Sequence, residues 1–479
     1  MIMITFLICL TVLVAAYFLY GVVLERVVGI DPSADVPSKS CYDGVDFMPL
    51  PRWRIFLIQL LNIAGTGPIF GAILGACYGP VAFLWITIGG IFMGAMHDFM
   101  SGVISLRNRG ESLPEIIGRY LGRGMHRFTL VVIPVLMILV GAVFIVTPSQ
   151  ILADKTDLPY LAWVAIVIVY YLIATVLPVD KVIGKIYPIF GAALIFMALS
   201  LLVVLFVGDY TIPELTNVDN HHFNAEKLPI LPTLFISIAC GAISGFHATQ
   251  SPIMARCIEN EKQSKPVFFG AMISESIIAL IWAAIAMSFF SGVEGLNSFM
   301  QQNNSNAGVA VSIICDTTLG RLGSILAILG VVVAPITSGD TAFRSARLII
   351  ADMLKYDQKP IHKRLVVSLP LFAIGIFIAF IDFDVIWRYF AWSNQALSVI
   401  TLWMITAWLV RRGSKATLLA LIPAIIMTYV CSSFLFVSNQ FFGLGATVEA
   451  YVYGAALAAV IAGLLMVKIY KNGKQGAAI

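Results

Sequence analysis

Three short stretches combine residue types that an ordinary buried helix does not need. The first reads Asn62-Ile63-Ala64-Gly65-Thr66-Gly67-Pro68, the second Gly241-Ala242-Ile243-Ser244-Gly245-Phe246-His247, and the third Ala334-Pro335-Ile336-Thr337-Ser338-Gly339-Asp340-Thr341. Two glycines followed by a proline interrupt a helix and restart it, because proline has no amide hydrogen yet sits well at a first helical position. A restarted helix presents free amide donors and the positive end of its dipole, which suits an anion and above all a carboxylate. Asn62, Gly65, Thr66, Gly67 and Pro68 are therefore candidate substrate contacts, with Ser244, Gly245, Phe246 and His247 closing the opposite side. The His247 imidazole titrates near neutral pH, so it can also carry a proton. In the third stretch the hydroxyls of Thr337 and Ser338 and the Asp340 carboxylate, with the Ala334 carbonyl, are oxygen ligands of the kind a hard cation takes.

Residues of this kind need a scaffold, and the composition defines it. Of 479 residues, 59% are hydrophobic and 12% charged, and the mean hydropathy is +0.93, far outside the soluble globular range. Thirteen apolar segments, each long enough to cross a hydrocarbon core as a helix of about 20 residues, run from Met1 to Val467. The first stretch lies at the centre of the second segment, Ile55 to Tyr78, and the second stretch within the seventh, Pro229 to Gln250, both near mid-bilayer. The third falls in the ninth segment, Leu322 to Thr341. The sequence thus predicts an all-α polytopic membrane protein of about thirteen transmembrane helices with no soluble domain between them. Without basic residues ahead of it or a small-residue cleavage site behind it, the first segment reads as a retained helix rather than a signal peptide.

Basic residues are held on the cytoplasmic side during insertion. With thirteen crossings and the N-terminus outside, all 30 Lys and Arg fall on that side except Lys155, Lys227, Arg321 and Arg388, and the C-terminus is cytoplasmic. The net charge of +4 follows from this topology. Its clusters, Arg107 to Arg127 and Arg344 to Arg364, are anchors near anionic lipid rather than a nucleic-acid surface. The seven cysteines are scattered with no C-x-x-C pair, so neither a disulfide framework nor a thiolate metal site is implied. His221-His222 is too isolated for a metal site. No Ser-His pair, zinc-ligand spacing or paired catalytic carboxylates speak for an enzyme. The expected partners are a small-molecule substrate and the bilayer; no cofactor beyond a coupling ion and no obligate protein partner is implied.

Glycines in one membrane helix often serve close packing alone. Here the second and seventh segments are five helices apart and enter the membrane from opposite sides, which reads as an inverted repeat with the substrate site between the broken helices. The two five-helix units are residues 55–207 and 208–410, the second with an external lid around Ala307 to Cys315. Residues 1–54 add an N-terminal helix and loop, and 411–479 add two peripheral helices and a tail. Ala334, Thr337 and Ser338 resemble the Ala-x-x-Thr-Ser spacing of a sodium site in the LeuT-like fold, so sodium and a proton both stand as coupling ions. Asp98, beside His97, reads as a partner of Arg344 or Arg347 ahead of a coupling role. Glu275 is a proton carrier or a satisfied interior carboxyl. Trp392, Asn394 and Gln395 line a polar cavity or, for the two amides, make helix-to-helix hydrogen bonds.

The segments Tyr42-Asp43-Gly44-Val45-Asp46-Phe47-Met48-Pro49, Ile63 to Pro68, His97-Asp98-Phe99, Arg109-Gly110-Glu111-Ser112-Leu113, Ile116-Ile117-Gly118, Cys240 to His247, Ser338 to Arg347 and Trp387 to Gln395 occur in order along the chain. Together they closely resemble the carbon-starvation protein A (CstA) family, in a short form without the extended C-terminal region of its long members. The resemblance implies a bacterial inner-membrane transporter of the amino acid-polyamine-organocation superfamily. It also implies a symporter for peptides during carbon starvation, or for pyruvate with a proton. Family members commonly carry a His-His pair where this chain has Ile58-Gln59, so a proton role for that pair does not transfer. A half-helix N-terminus with few charges near it favours a small monoanion such as pyruvate; a peptide is the alternative, and a membrane nutrient sensor a further one.

Overall fold

The computed structural model describes residues 3–44, 46–177, 179–358, 360–381 and 383–476. All regular structure among them is helical, as a chain with apolar runs from end to end requires when every backbone amide must be satisfied within the membrane. In chain order the helices are α1 (Ile4–Val28), α2a (Arg52–Ile63) and α2b (Gly67–Ala76), α3 (Val81–Arg107), α4 (Leu113–Leu121), α5 (Arg123–Ala153), α6 (Tyr160–Val176) and α7 (Tyr187–Val207). There follow α8a (230–237) and α8b (Gly245–Ala255), α9 (Glu261–Phe289), α10 (Val293–Gln302), α11 (307–319) and α12 (Val333–Leu354). The chain ends in α13 (Ile361–Ile378), α14 (Val385–Arg411), α15 (Lys415–Val437) and α16 (Val448–Lys471).

Every one of the thirteen apolar segments is helical. Among the described residues nine helices are long and apolar enough to cross a membrane, or ten if α2a and α2b count as one span. Outside that count fall α6, with 17 residues, α8, which residues 238–244 interrupt, and α12, which carries Asp340, Arg344, Arg347 and Asp352. Burial separates the helices that build the centre from those at the rim. In its most apolar stretch α9 is 89% buried and α3 83%, against 28% for α1 and 17% for α16. Lipid, which solvates leucine as well as another helix does, covers the rest. α15 is sandwiched between α14 and α16.

Both expected interruptions are present. α2 stops at Ile63, passes through Ala64 at φ −84°, ψ 52°, and restarts at Gly67-Pro68 bent by 54°. α8 unwinds over 238–244, where Gly241 takes φ +86°, a conformation that side chains with a Cβ rarely adopt. The two breaks pack against each other: a Cβ on Gly67 would lie 2.3 Å from both Cβ and Sγ of Cys240, and one on Gly71 2.9 Å from the Ser237 carbonyl oxygen.

Short polar elements close the two faces. α4 follows directly from its sequence, with Ser112 before it, Pro114 in its first turn, Leu113, Ile116, Ile117 and Leu121 buried, and Gly122 ending it. On the same basic-rich face Arg107 pairs with the buried Glu261 at 2.6 Å. On the other face, α10 and α11 form the segment in which a single external lid helix was expected. Asn297 of α10 donates to the carbonyls of Cys77 (3.0 Å) and His221 (2.8 Å) and so ties the lid to the end of α2b. Glu214, in the loop before α8, accepts hydrogen bonds from the Ile4 and Thr5 amides (2.6 and 2.8 Å) and from the Thr5 hydroxyl. Slight burial works to raise its pKa, but these bonds outweigh it and hold the carboxyl below its usual range.

Candidate functional site

The first break carries orphaned polar groups. Gln59 and Asn62 on α2a are fully buried, and none of their side-chain oxygens and nitrogens has a hydrogen-bond partner; the Thr66 hydroxyl has none either. Among the described residues the Gly65 and Thr66 amides also have no acceptor within the chain. Buried polar groups are almost always satisfied, so a row of unsatisfied ones along one face of a broken helix marks a place for a polar ligand or water. Gly65 and Gly67 are small because their neighbours are close. A Cβ on Gly65 would meet the Phe144 ring at 2.9 Å and the Ser338 hydroxyl at 3.2 Å.

The second break differs. The Phe246 amide donates to Asn394 Oδ1 at 2.7 Å, and Asn394 Nδ2 donates to the Ser244 hydroxyl at 2.9 Å. Gln395 Nε2 donates to the carbonyls of Ile243 (3.0 Å) and Phe235 (3.3 Å). Trp392 Nε1 donates to the Cys431 carbonyl at 3.2 Å. Of the two readings for these residues, the hydrogen bonds follow the helix-to-helix one: the two amides brace the unwound part of α8 from α14, and Trp392 holds α15. With no water in the hydrocarbon core, the backbone freed by a break needs acceptors and donors from a neighbouring helix. Replacing Asn394 by alanine is expected to cost about 1–3 kcal/mol by stranding the Phe246 amide, while Asn394→Asp, which keeps the acceptor, costs less. Thermal unfolding of the purified variants in detergent checks the order, and equal stability of the two would contradict the bracing role.

His247, Asp98 and Glu275 converge. His97 Nδ1 lies 2.8 Å from one oxygen of Asp98, and His247 Nδ1 lies 2.9 Å from the other; His247 Nε2 is 3.5 Å from Glu275, and all four side chains are fully buried. Asp98 thus pairs with two imidazoles, not with Arg344 or Arg347 as the sequence led us to expect. Those arginines are used elsewhere. Arg344 donates to the Ala174 carbonyl at 2.9 Å and lies 3.9 Å from Asp46, and Arg347 donates to Gln358 at 2.7 Å. Cys240 joins the cluster, so that one ligand atom each of Cys240, His247 and Glu275 lies within 4.8 Å of the others. Such a set can exchange a proton or hold a divalent cation.

The third stretch lies beside the first break. The Ser338 hydroxyl donates to the Leu61 carbonyl at 3.1 Å, and that of Thr337 to the Ala334 carbonyl at 2.7 Å. Ser338 thus ties α12 to α2a beside the first break, while Thr337 bonds within its own helix. Asp340 points away from them, accepting from the Tyr187 hydroxyl at 2.8 Å and lying 4.0 Å from Arg344.

A cavity of about 220 Å³ opens on the lid side and reaches Phe70 and Leu74 of α2b and Ser237 of α8a. Among the described residues, the charged side chains lining it are Lys227 and Arg388, with His222 beside them. The sequence reading missed this role for Lys227 and Arg388, although both were conspicuous as exceptions to the charge asymmetry. Phe70 stands 6.3 Å from the Trp387 ring, and Phe144 lies 6.3 Å from Phe246 and 6.4 Å from Phe390, between ring centroids. These aromatics separate the cavity from the buried first break. On the far side of Phe70 a second cavity, about 240 Å³, is lined by Thr147, Gln150, Asn306 and Asp316.

Two discontinuous helices touching at their breaks, with a hydroxyl-bearing helix beside them, define a transporter of the LeuT-like fold. Solved structures agree. The chain is 13% identical to Mhp1, a nucleobase-cation-symport-1 family transporter, over 92% of this chain and 96% of that one, with a TM-score of 0.56. It is 12% identical to the Eremococcus coleocola manganese transporter over 91% and 99%, with a TM-score of 0.54. The chain belongs to the carbon starvation protein CstA family, whose model matches residues 1–157, 145–319 and 305–433. An uncharacterised membrane protein of Haemophilus influenzae is 40% identical over 65% of this chain and 97% of its own length. The peptide transporter CstA of Campylobacter jejuni is 27% identical over 62% of this chain and 51% of its own length. The pyruvate/proton symporter BtsT of Escherichia coli is 25% identical over 63% and 50%. The chain therefore spans about half the length of these two transporters.

Proposed function

We propose that this multi-pass membrane transporter is a symporter that imports a small carboxylate, pyruvate or a close relative, into the bacterial cell across the inner membrane. The observation that carries this reading is the cavity on the lid side. Among the described residues its charged lining is Lys227 and Arg388, and it reaches α2b, the half-helix just after the Gly65 and Thr66 amides that have no acceptor. Fixed positive charge at a low-dielectric mouth concentrates anions, and a helix N-terminus then receives the carboxylate. The Phe70 and Trp387 rings stand between the two as a gate. In this orientation the basic-rich loops face the cytoplasm and the lid faces outward, and the units 55–207 and 208–410 rock against each other about the paired breaks.

Uptake of labelled pyruvate and of labelled dialanine into proteoliposomes, with proton and sodium gradients imposed separately, tests the reading. Pyruvate is expected to accumulate against its gradient, and Lys227→Gln to raise its KM about tenfold through lost attraction at the mouth. Accumulation of dialanine without pyruvate would overturn the substrate assignment. The peptide reading has its own support in Asp316, across Phe70 from the cationic cavity, as a partner for an amine. A sodium gradient sufficing at equal pH would assign coupling to the oxygens of Leu61, Ala334, Thr337 and Ser338.

A further inference from the structure

The buried ionisable groups are more numerous than substrate binding needs, and their arrangement is linear. Glu275 of α9 faces His247 Nε2 at 3.5 Å, His247 Nδ1 meets Asp98 at 2.9 Å, and the other Asp98 oxygen meets His97 Nδ1 at 2.8 Å. Beyond Asp98, toward the basic-rich face, the Ser101 hydroxyl lies 3.2 Å from that of Ser251, which donates to the His247 carbonyl at 3.1 Å. Glu275, His247, Asp98 and His97 thus form one buried cluster beside the second break, and the two serine hydroxyls next to it turn to the backbone carbonyls of Asp98 and His247. An ionised Asp98 accepts from both imidazoles, which fixes both Nδ1 atoms as donors. Each ring then has only Nε2 left to gain or lose a proton. Neither Nε2 has a hydrogen-bond partner, nor has either Glu275 oxygen.

We propose that His247 and Glu275 are the proton-coupling pair of this transporter, with Asp98 as its fixed anion and His97 as the second imidazole that holds that anion in place. This deepens the symporter reading and rests on it. One proton accounts for the geometry. On Nε2 it makes an ion pair with Glu275; on Glu275 it leaves a neutral acid facing a neutral imidazole. His247 lies in the first turn of α8b, directly after the break, and Cys240, within the same cluster, fills the space against Gly67 of the other break. Pairing and unpairing at His247 therefore acts where the two breaks touch.

Among the described residues, most other charged groups on helices packed against α8b have partners of their own, and Asp352 of α12 is exposed. Asp340 is held by Tyr187 and Arg344, and Arg347 by Gln358. On α4, Glu115 holds His126, and Arg119 holds Glu111. Arg107 of α3 holds Glu261, and Arg411 of α14 donates to the Tyr120 carbonyl. Arg388, also on α14, lines the outer cavity, and Arg54 of α2a lies over Trp53. Arg52 is the first residue of α2a, about three turns from the break.

Two measurements separate this assignment from the substrate assignment. Infrared spectra of the purified protein without any substrate are expected to show the carbonyl band of a buried protonated carboxyl that titrates with pH. Glu275→Gln removes that band and Asp340→Asn keeps it. In proteoliposomes Glu275→Gln is expected to lose at least tenfold of the accumulation of labelled pyruvate driven by a pH gradient while retaining pyruvate exchange. If the normal protein moves no pyruvate, the substrate reading fails and the infrared result still judges the pair. A titrating band that survives Glu275→Gln, accumulation unaffected by that change, or inhibition by a divalent-metal chelator relieved by zinc would overturn the proposal.

Discussion

Replacing Gly67 by valine is expected to abolish uptake and to lower stability by about 1–3 kcal/mol, the usual cost of forcing extra carbons into a packed interior. The Cβ alone would lie 2.3 Å from two atoms of Cys240, closer than nonbonded carbon and sulfur can approach, so the two breaks must separate. The cause lies in one identifiable contact, which makes the prediction specific. Gly67→Ala combined with Cys240→Gly removes both obstructing atoms and is expected to recover most of the stability lost in Gly67→Ala. Thermal unfolding in detergent and uptake into proteoliposomes report on the two halves of the claim. If the double variant is no more stable than the single one, contact between the breaks does not limit this position.

Asp98→Ala is expected to be the most destabilising single change in the membrane interior, at about 3–5 kcal/mol, the cost of stripping a buried charge cluster of its central partner. It strands two fully buried imidazoles at once, since both His97 and His247 turn Nδ1 to this carboxylate. Asp98→Asn is expected to cost less, because its side-chain oxygen still accepts from one ring. Chemical unfolding of both variants gives the comparison. A loss below about 1 kcal/mol for the alanine variant would mean that the imidazoles find other partners, and Asp98 would no longer be the anchor of the cluster.

Much of this arrangement was legible in the sequence because it is written in local chemistry. An unbroken succession of apolar segments leaves only helices available to a chain in lipid. Glycine-proline interruptions act within a few residues, so the breaks at Gly65 to Pro68 and at Gly241 to Gly245 could be placed, and their matching positions gave the LeuT-like architecture. The Ala-x-x-Thr-Ser spacing put Ala334, Thr337 and Ser338 on one turn, where Ser338 meets the Leu61 carbonyl.

Pairing across helices was decided only by the tertiary structure. Asp98 had a choice of cations, and the sequence favoured arginines because their charge is permanent; packing of α3 on α8b brought His247 within 2.9 Å instead. Asn394 and Gln395 are as polar as any cavity lining, yet a backbone unwound in hydrocarbon takes up nearby amides as hydrogen-bond partners before a substrate can. Cys240 has no signature of its own, and its place against Gly67 depends on how two distant breaks meet. Lys227 and Arg388 are 161 residues apart and share one cavity because the lid side of the bundle folds them together. Spacing along a chain fixes which groups share a helix face, whereas a partner 150 residues away is set by the packing of the whole bundle.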